Sequence, residues 1–316
     1  MKFRMPALLS VLVLSLSLAA GGCGSAPSNA NGNGQGQSGA SATPAKNMTI
    51  KIGSKQFTEQ MILGQILAQL LEANGYKVKT YFGLGGTNIA HQALVSGKID
   101  LYPEYTGTGL VDILKDPPQN DPAKVYETVK KAYQEKWNLD WLKPYGFDNT
   151  YAIAVSKKEA EKGITTISDL AKQKNVRMAM YPEFEGREDG YKGLQKVYGL
   201  NIAPANIKHL ETAVAYQAIN SGSIDATVCF STDGLLKKYN LTVLKDNKNF
   251  FPPYYAATVV RADLLKKDPH IKSVLNELAG KLPNDVMMDL NYQVDVQQKS
   301  PEVVAKGFLK SAGLVK

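Results

Sequence analysis

Four aromatic residues stand where an α/β protein places ligand-contacting side chains: Tyr105, Tyr151, Phe230 and Tyr254. Tyr105 and Phe230 close the runs Ile99-Asp100-Leu101-Tyr102 and Ala226-Thr227-Val228-Cys229, both of which read as strands. Tyr151 and Tyr254 instead open the small-residue strands Ala152-Ile153-Ala154-Val155 and Ala256-Ala257-Thr258-Val259-Val260. Open α/β sheets bind ligands at the carboxyl ends of their strands. Rings converging on one cleft suit a methylated ammonium. Such a group donates no N–H, yet it is drawn to the negative faces of rings within about 6 Å of each centroid, at roughly 0.5–2 kcal/mol per contact. Three or four rings are consistent with micromolar binding, about −8 kcal/mol. Strongly hydrated metal ions and primary amines would lose water there without regaining partners. For the polar end of a zwitterion the candidates are Lys55 and Gln56, in the loop after the first strand, Thr108, and Arg187. These offer charge-assisted or neutral hydrogen bonds to a carboxylate.

An internal echo brings these residues together. The stretch Thr87-Asn88-Ile89-Ala90-His91-Gln92-Ala93-Leu94-Val95-Ser96-Gly97-Lys98-Ile99-Asp100 resembles the stretch Thr212 to Asp225, 125 residues further on, with Thr, Gln-Ala, Ser-Gly and Ile-Asp at matched positions. Each copy reads as a helix, a glycine turn and a strand. Continued, the echo sets Phe230 opposite Tyr105. Around the copies, Thr49–Gly53 and Lys77–Phe82 read as strands. A helix capped by Thr58 separates them and stops at Asn74-Gly75. Val176–Met180 is a further strand, and the chain from Ile271 to Ala312 is mostly helical by pattern. Alternating strands and helices predict α/β sheets, and the repeat predicts two similar lobes in one chain. The two Tyr-led strands are the expected crossovers, with Tyr151 and Tyr254 at the hinge.

The amino terminus belongs to neither lobe. Lys2 and Arg4 precede an apolar run from Leu8 to Ala20, which ends in Gly21-Gly22-Cys23, the form of a secretory leader. The position of Cys23 suits lipid acylation after cleavage. Residues 24–46, rich in Gly, Ser, Asn, Gln, Ala and Pro, form a flexible tether. The expected organisation is therefore a leader over 1–23, a tether over 24–46, one lobe from 47–151 and 255–316, and a second from 152–254. The other cysteine, Cys229, sits in an apolar stretch and reads as a buried small hydrophobe, so no disulfide framework is expected. A net charge of +8 with mixed signs and no dense basic run argues against nucleic-acid binding. The three histidines, His91, His209 and His270, show no metal-ligand spacing, and Gly83-Leu84-Gly85-Gly86 is no phosphate loop. No metal site, cofactor or catalytic residue is expected.

The stretches Gly53–Gln60, Leu101–Thr108, Asn149–Val155, Glu185–Tyr191 and Phe230–Gly234 together resemble the glycine betaine/choline/carnitine-binding lipoproteins of osmoprotectant ABC importers, over nearly the whole chain beyond the tether. The resemblance implies an α/β, two-lobed periplasmic-binding-protein fold of type II kind, with the ligand cleft between the lobes. It implies an aromatic cage at Tyr105, Tyr151, Phe230 and Tyr254, with Thr108, Lys55, Gln56 and more weakly Arg187 near the polar end of the ligand. It further implies a monomer held outside the cell membrane by a lipid at Cys23 and working with separate permease subunits. Phe230 departs from the tyrosine usual in that family, keeping the ring face and losing a hydroxyl. An amino-acid-binding protein is the competing reading, with Asp233 or Glu104 to meet an α-amino group.

Overall fold

The computed structural model describes residues 48–316; the leader, Cys23 and the tether lie outside the described residues. Two five-stranded sheets carry the chain. Sheet one contains β1 (Thr49–Gly53), β2 (Lys77–Tyr81), β3 (Leu101–Tyr105), β4 (Leu139–Trp141) and β10 (Ala256–Arg261), in the order β2-β1-β3-β10-β4. Sheet two contains β5 (Tyr151–Ser156), β6 (Met178–Met180), β7 (Ile207–His209), β8 (Ala226–Phe230) and β9 (Leu241–Val243), in the order β7-β6-β8-β5-β9. The two orders are the same pattern. Each sheet has parallel strands on one side and a returning antiparallel strand, β10 or β5, next to its third parallel member.

The repeat is reproduced bond for bond. Helix α1 (Thr58–Ala73) joins β1 to β2, and α2 (Thr87–Val95) precedes β3. Helix α3 (Pro122–Trp137) leads to β4, and α4 (Thr212–Asn220), the counterpart of α2, precedes β8. After α2 and α4 the chain turns at Gly97 and Gly222, with φ of 72° and 75°, a conformation open to glycine at little cost. Asp100 then accepts the backbone N–H of Lys51 at 2.8 Å, and Asp225 accepts that of Arg177 at 2.9 Å. The basic side chains of Lys51 and Arg177 reach the carbonyls of Gly97 and Gly222. One aspartate in each lobe thus ties the start of β3 to β1, or the start of β8 to the start of β6, and Tyr105 and Phe230 end β3 and β8.

Some boundaries differ from the expectation. β3 begins at Leu101 rather than Ile99 and runs through Pro103. β1 meets it only where Ile52 faces Leu101, so beyond that point no ladder on that side needs the N–H that proline lacks. Phe57, not Thr58, is the residue before α1, and the Thr58 hydroxyl donates to Asp295 at 2.6 Å instead of capping. β5 begins at Tyr151 and pairs it with Phe230, so the chain enters sheet two one residue before the expected boundary. Near the carboxyl end, α6 (Asn284–Asp295) does not stay with sheet one. It packs on α1 and also on α5 (Gly234–Lys238), which follows β8. Gly234 allows that approach, because a Cβ there would strike the backbone of Tyr292.

Separate cores lie under the two sheets. One joins β1, α1 and the carboxyl-terminal α7 (Pro301–Ser311) through residues such as Ile52, Ile66 and Phe308. Another lies around Ile153, Met178 and Val228. A third, between α2, α3 and β4, is aromatic. His91, only 3% exposed, sits edge-on to Trp137 at 4.5 Å and Tyr133 at 5.4 Å, and neither ring nitrogen has a protein partner. Burial lowers its pKa from 6.5 to about 4. Between those values the unfolded chain holds a proton that the folded protein does not, so His91 costs stability as the pH falls, by about 3 kcal/mol in full. The His91→Phe variant is therefore expected to gain on the parent steadily from pH 7 to pH 4, as read by urea midpoints. Parallel profiles would show that His91 is not neutral in the fold.

Candidate functional site

A cleft of about 780 Å³ takes walls from both lobes, and all eight residues singled out in the sequence line it. Sheet two supplies one aromatic wall. Because Tyr151 and Phe230 are paired across β5 and β8, their rings stack at 5.0 Å between centroids and 29° between planes. Tyr181, just past β6, also stacks with Phe230, at 6.0 Å and 23°. Tyr254 meets Tyr151 edge-on at 6.2 Å and 80°. Its ring lies against the backbone at Gly107, where a Cβ would come within 2.7 Å of two ring carbons. The facing wall is Tyr105, stacked on Phe57 at 6.2 Å.

The crossovers fix where Tyr151 and Tyr254 stand. Asp148 bridges to Tyr255, the Asn149 N–H donates to the Tyr254 carbonyl at 3.2 Å, and the Tyr254 N–H donates to Asp148 Oδ1 at 2.7 Å. Burial pushes the Asp148 carboxyl up to about 6, and the Tyr254 N–H opposes that rise.

The charged residues are less free than their sequence positions suggest. Lys55 is 4% exposed, with its ammonium on Glu104 Oε1 at 2.6 Å and Thr87 Oγ1 at 3.0 Å. It also sits 5.3 Å from the centroid of Tyr105. Glu104 accepts in addition from the Tyr102 hydroxyl and the Tyr105 N–H, which leaves it little capacity for a ligand amine. Arg187 grips Asp189 through Nε and Nη2 at 2.7 and 2.6 Å and lies 5.6 Å from the centroid of Tyr151. The hydrogen bonds to Asp189 raise the Arg187 pKa. Burial alone would raise the Asp189 carboxyl, but Arg187 holds it below the usual range. The Tyr254 hydroxyl donates to Asp189 at 2.8 Å. Asp233 accepts from the Tyr216 hydroxyl, and burial pushes its pKa up to about 6. Thr108 ends the short helical turn after Tyr105, and Gln56 is exposed at the mouth.

One residue that sequence reasoning did not single out stands at the centre. Glu59, on the first turn of α1, is 3% exposed and lines the cleft. Its Oε1 accepts the Tyr105 hydroxyl at 2.7 Å and Asn149 Nδ2 at 2.8 Å. Its Oε2 accepts the Thr232 hydroxyl at 2.6 Å and Asn291 Nδ2 at 3.0 Å. Glu59 lies in the same Gly53–Gln60 motif as Lys55 and Gln56, so its place beside the loop was available in the sequence. No local pattern announces that Asn291, more than 200 residues away, closes the network. Asp189 lies inside the Glu185–Tyr191 motif that holds Arg187 and was likewise within reach.

Two lobes of equal topology around an aromatic-lined cleft are the arrangement of a solute-binding protein. Residues 48–311 match the OpuAC family, the substrate binding domain of ABC-type glycine betaine transport systems, and the chain belongs to that family. It is 43% identical over 83% of its length to the ergothioneine transport permease/ergothioneine binding protein EgtU of Helicobacter pylori (strain G27), and spans about half (47%) of that relative. It is 38% identical to the carnitine transport binding protein OpuCC of Listeria monocytogenes, over 83% of this chain and 86% of the relative. The crystal structure of a glycine betaine/carnitine/choline ABC transporter superimposes with a TM-score of 0.79 at 36% identity, covering 84% of this chain and 99% of the other.

Phe230 lines the cleft, stacks with Tyr151 and Tyr181, and carries no hydroxyl of its own. The Phe230→Tyr variant is expected to keep its melting temperature and to change the ranking of quaternary-ammonium ligands in calorimetry. If neither affinity nor ranking moves, Phe230 belongs to the core rather than to the ligand wall.

Proposed function

We propose that this protein captures a small solute carrying a trimethylated ammonium group, such as glycine betaine, choline, carnitine or ergothioneine, and delivers it to the permease of an ABC importer. The observation that carries this reading is the convergence of Tyr105, Tyr151, Phe230 and Tyr254 on one cleft with walls from both sheets. Ring faces are the partners that a cation without N–H donors can use. The names of the relatives support the same chemistry, since carnitine and ergothioneine both bear a trimethylammonium beside a carboxylate.

In this reading Tyr105, Tyr151, Phe230 and Tyr254 hold the ammonium. Thr108, Gln56, Nη1 of Arg187, which does not bond Asp189, and the third N–H of Lys55 meet the polar end. The lobes close because the closed state makes contacts that the open one lacks. The leader and Cys23 add an extracytoplasmic location with a lipid tether, and the protein acts as a monomer beside separate permease subunits.

Calorimetry of the tether-free protein against those four compounds and a set of amino acids tests the reading directly. Binding of at least one quaternary ammonium compound is expected, with no binding of its primary-amine analogue. Replacing Tyr151 or Tyr254 by Ala should weaken that binding tenfold or more, about 1.4 kcal/mol upward. Unchanged affinity after both replacements, or a preference for amino acids, would reject the cage.

A further inference from the structure

The charges around the cleft do not cancel evenly. Lys55 is neutralised by Glu104 and Arg187 by Asp189, each through bonds of 2.6–2.7 Å. Glu59 accepts instead from four neutral donors, and none of the ion pairs among the described residues includes it. Two donors on each oxygen saturate its common acceptor positions, so a ligand has no room to hydrogen-bond to it. It is nonetheless in direct contact with the cage, because one of those donors is the phenol of Tyr105.

We infer that Glu59 is a specificity-determining residue: it is the counter-charge for the bound cation, and it acts through the ring of Tyr105 rather than by touching the ligand. A phenol that donates to a carboxylate gains electron density in its ring, which deepens the attraction of its face for a cation. The carboxylate sits at the hydroxyl end of that ring and is itself almost fully buried, where charges act over longer range than in solvent. Burial raises the Glu59 pKa on balance, and the hydrogen bonds from Thr232, Tyr105, Asn291 and Asn149 oppose that rise; all four partners donate, the arrangement that an ionised carboxylate requires. The same four bonds reach Tyr105 at the end of β3, Asn149 in a crossover, Thr232 beyond β8 and Asn291 on α6. The charge is therefore assembled only when both lobes are in place.

This inference rests on the quaternary-ammonium reading, and its competitor is a purely mechanical role in which Glu59 holds the lobes together. A charge and a clasp differ in what they do to an uncharged ligand of the same shape. The experiment measures the affinities of choline and its carbon isostere 3,3-dimethylbutan-1-ol, and of glycine betaine and 3,3-dimethylbutanoate, for the parent, Glu59→Gln and Lys237→Met proteins. Calorimetry serves for the tight ligands and NMR titration for the weak ones. Glu59→Gln keeps the shape and removes the charge, whereas Lys237→Met removes the ion pair of Lys237 on α5 with Asp289 on α6, a clasp outside the cleft, and leaves all four bonds to Glu59 in place. The expected result is a fall of about tenfold for the trimethylammonium ligands in Glu59→Gln, with the isosteres changed less than threefold, and less than threefold for every ligand in Lys237→Met. Equal losses for cation and isostere, or equal losses of the cation in the two variants, would overturn the charge role. The comparison of the two variants on the cations stands even where an isostere binds too weakly to measure. Should Glu59→Gln fail to fold, Tyr105→Phe cuts the same link and is expected to show the same selective loss. A parent protein that binds neither choline nor glycine betaine would sink the quaternary-ammonium reading itself, and this inference with it.

Discussion

The chain passes between its two sheets twice, and the two passages lie side by side. Asp148 pairs with Tyr255 and takes the N–H of Tyr254, so the segment entering sheet two and the segment leaving it form one ribbon. Everything in the cleft depends on that ribbon. It sets Tyr151 and Tyr254 edge to face, and the pairing of β5 with β8 then stacks Phe230 on Tyr151. Two backbone connections at one place also define a hinge, about which paired lobes can close as rigid bodies.

On that frame the polar groups sort into two layers. Facing the cleft are rings, which attract a cation without competing for hydrogen bonds. Behind them stand carboxylates. The Tyr105 hydroxyl goes to Glu59 and the Tyr254 hydroxyl to Asp189, while Glu104 backs Lys55. Buried carboxylates are costly unless bonded, and each of these accepts several donors. These three carboxylates thus shape the field of the cleft with most of their acceptor positions already taken, and Asp112, Asp233 and Asp295 add further negative charge to its lining.

Helix α6 adds a constraint that the two-lobed pattern alone does not contain. It touches α1 on one side and α5 on the other, and its Asn291 donates both to Glu59 and to the carbonyl of Thr232. The carboxyl-terminal part of the chain, which follows the last strand of sheet one, therefore bears on the second lobe as well. Any movement of the lobes has to break or slide this contact.

Periodicity and repetition determined much of this protein before any coordinates. The match between Thr87–Asp100 and Thr212–Asp225 implied two like lobes. Its continuation set Tyr105 opposite Phe230, because strand ends are defined by local pattern and a repeat carries its function along with its fold. The family motifs then tied the rings to a cationic ligand. Tertiary structure alone decided which charges are free. Lys55 and Arg187 read as available cations in the sequence, yet both are held by carboxylates close in space. Glu59 draws its donors from Asn149, Thr232 and Asn291, residues far apart along the chain. Hydrogen-bond partners across lobes leave no period and no fixed spacing in a sequence, so they exist for the reader only once the chain has folded back on itself.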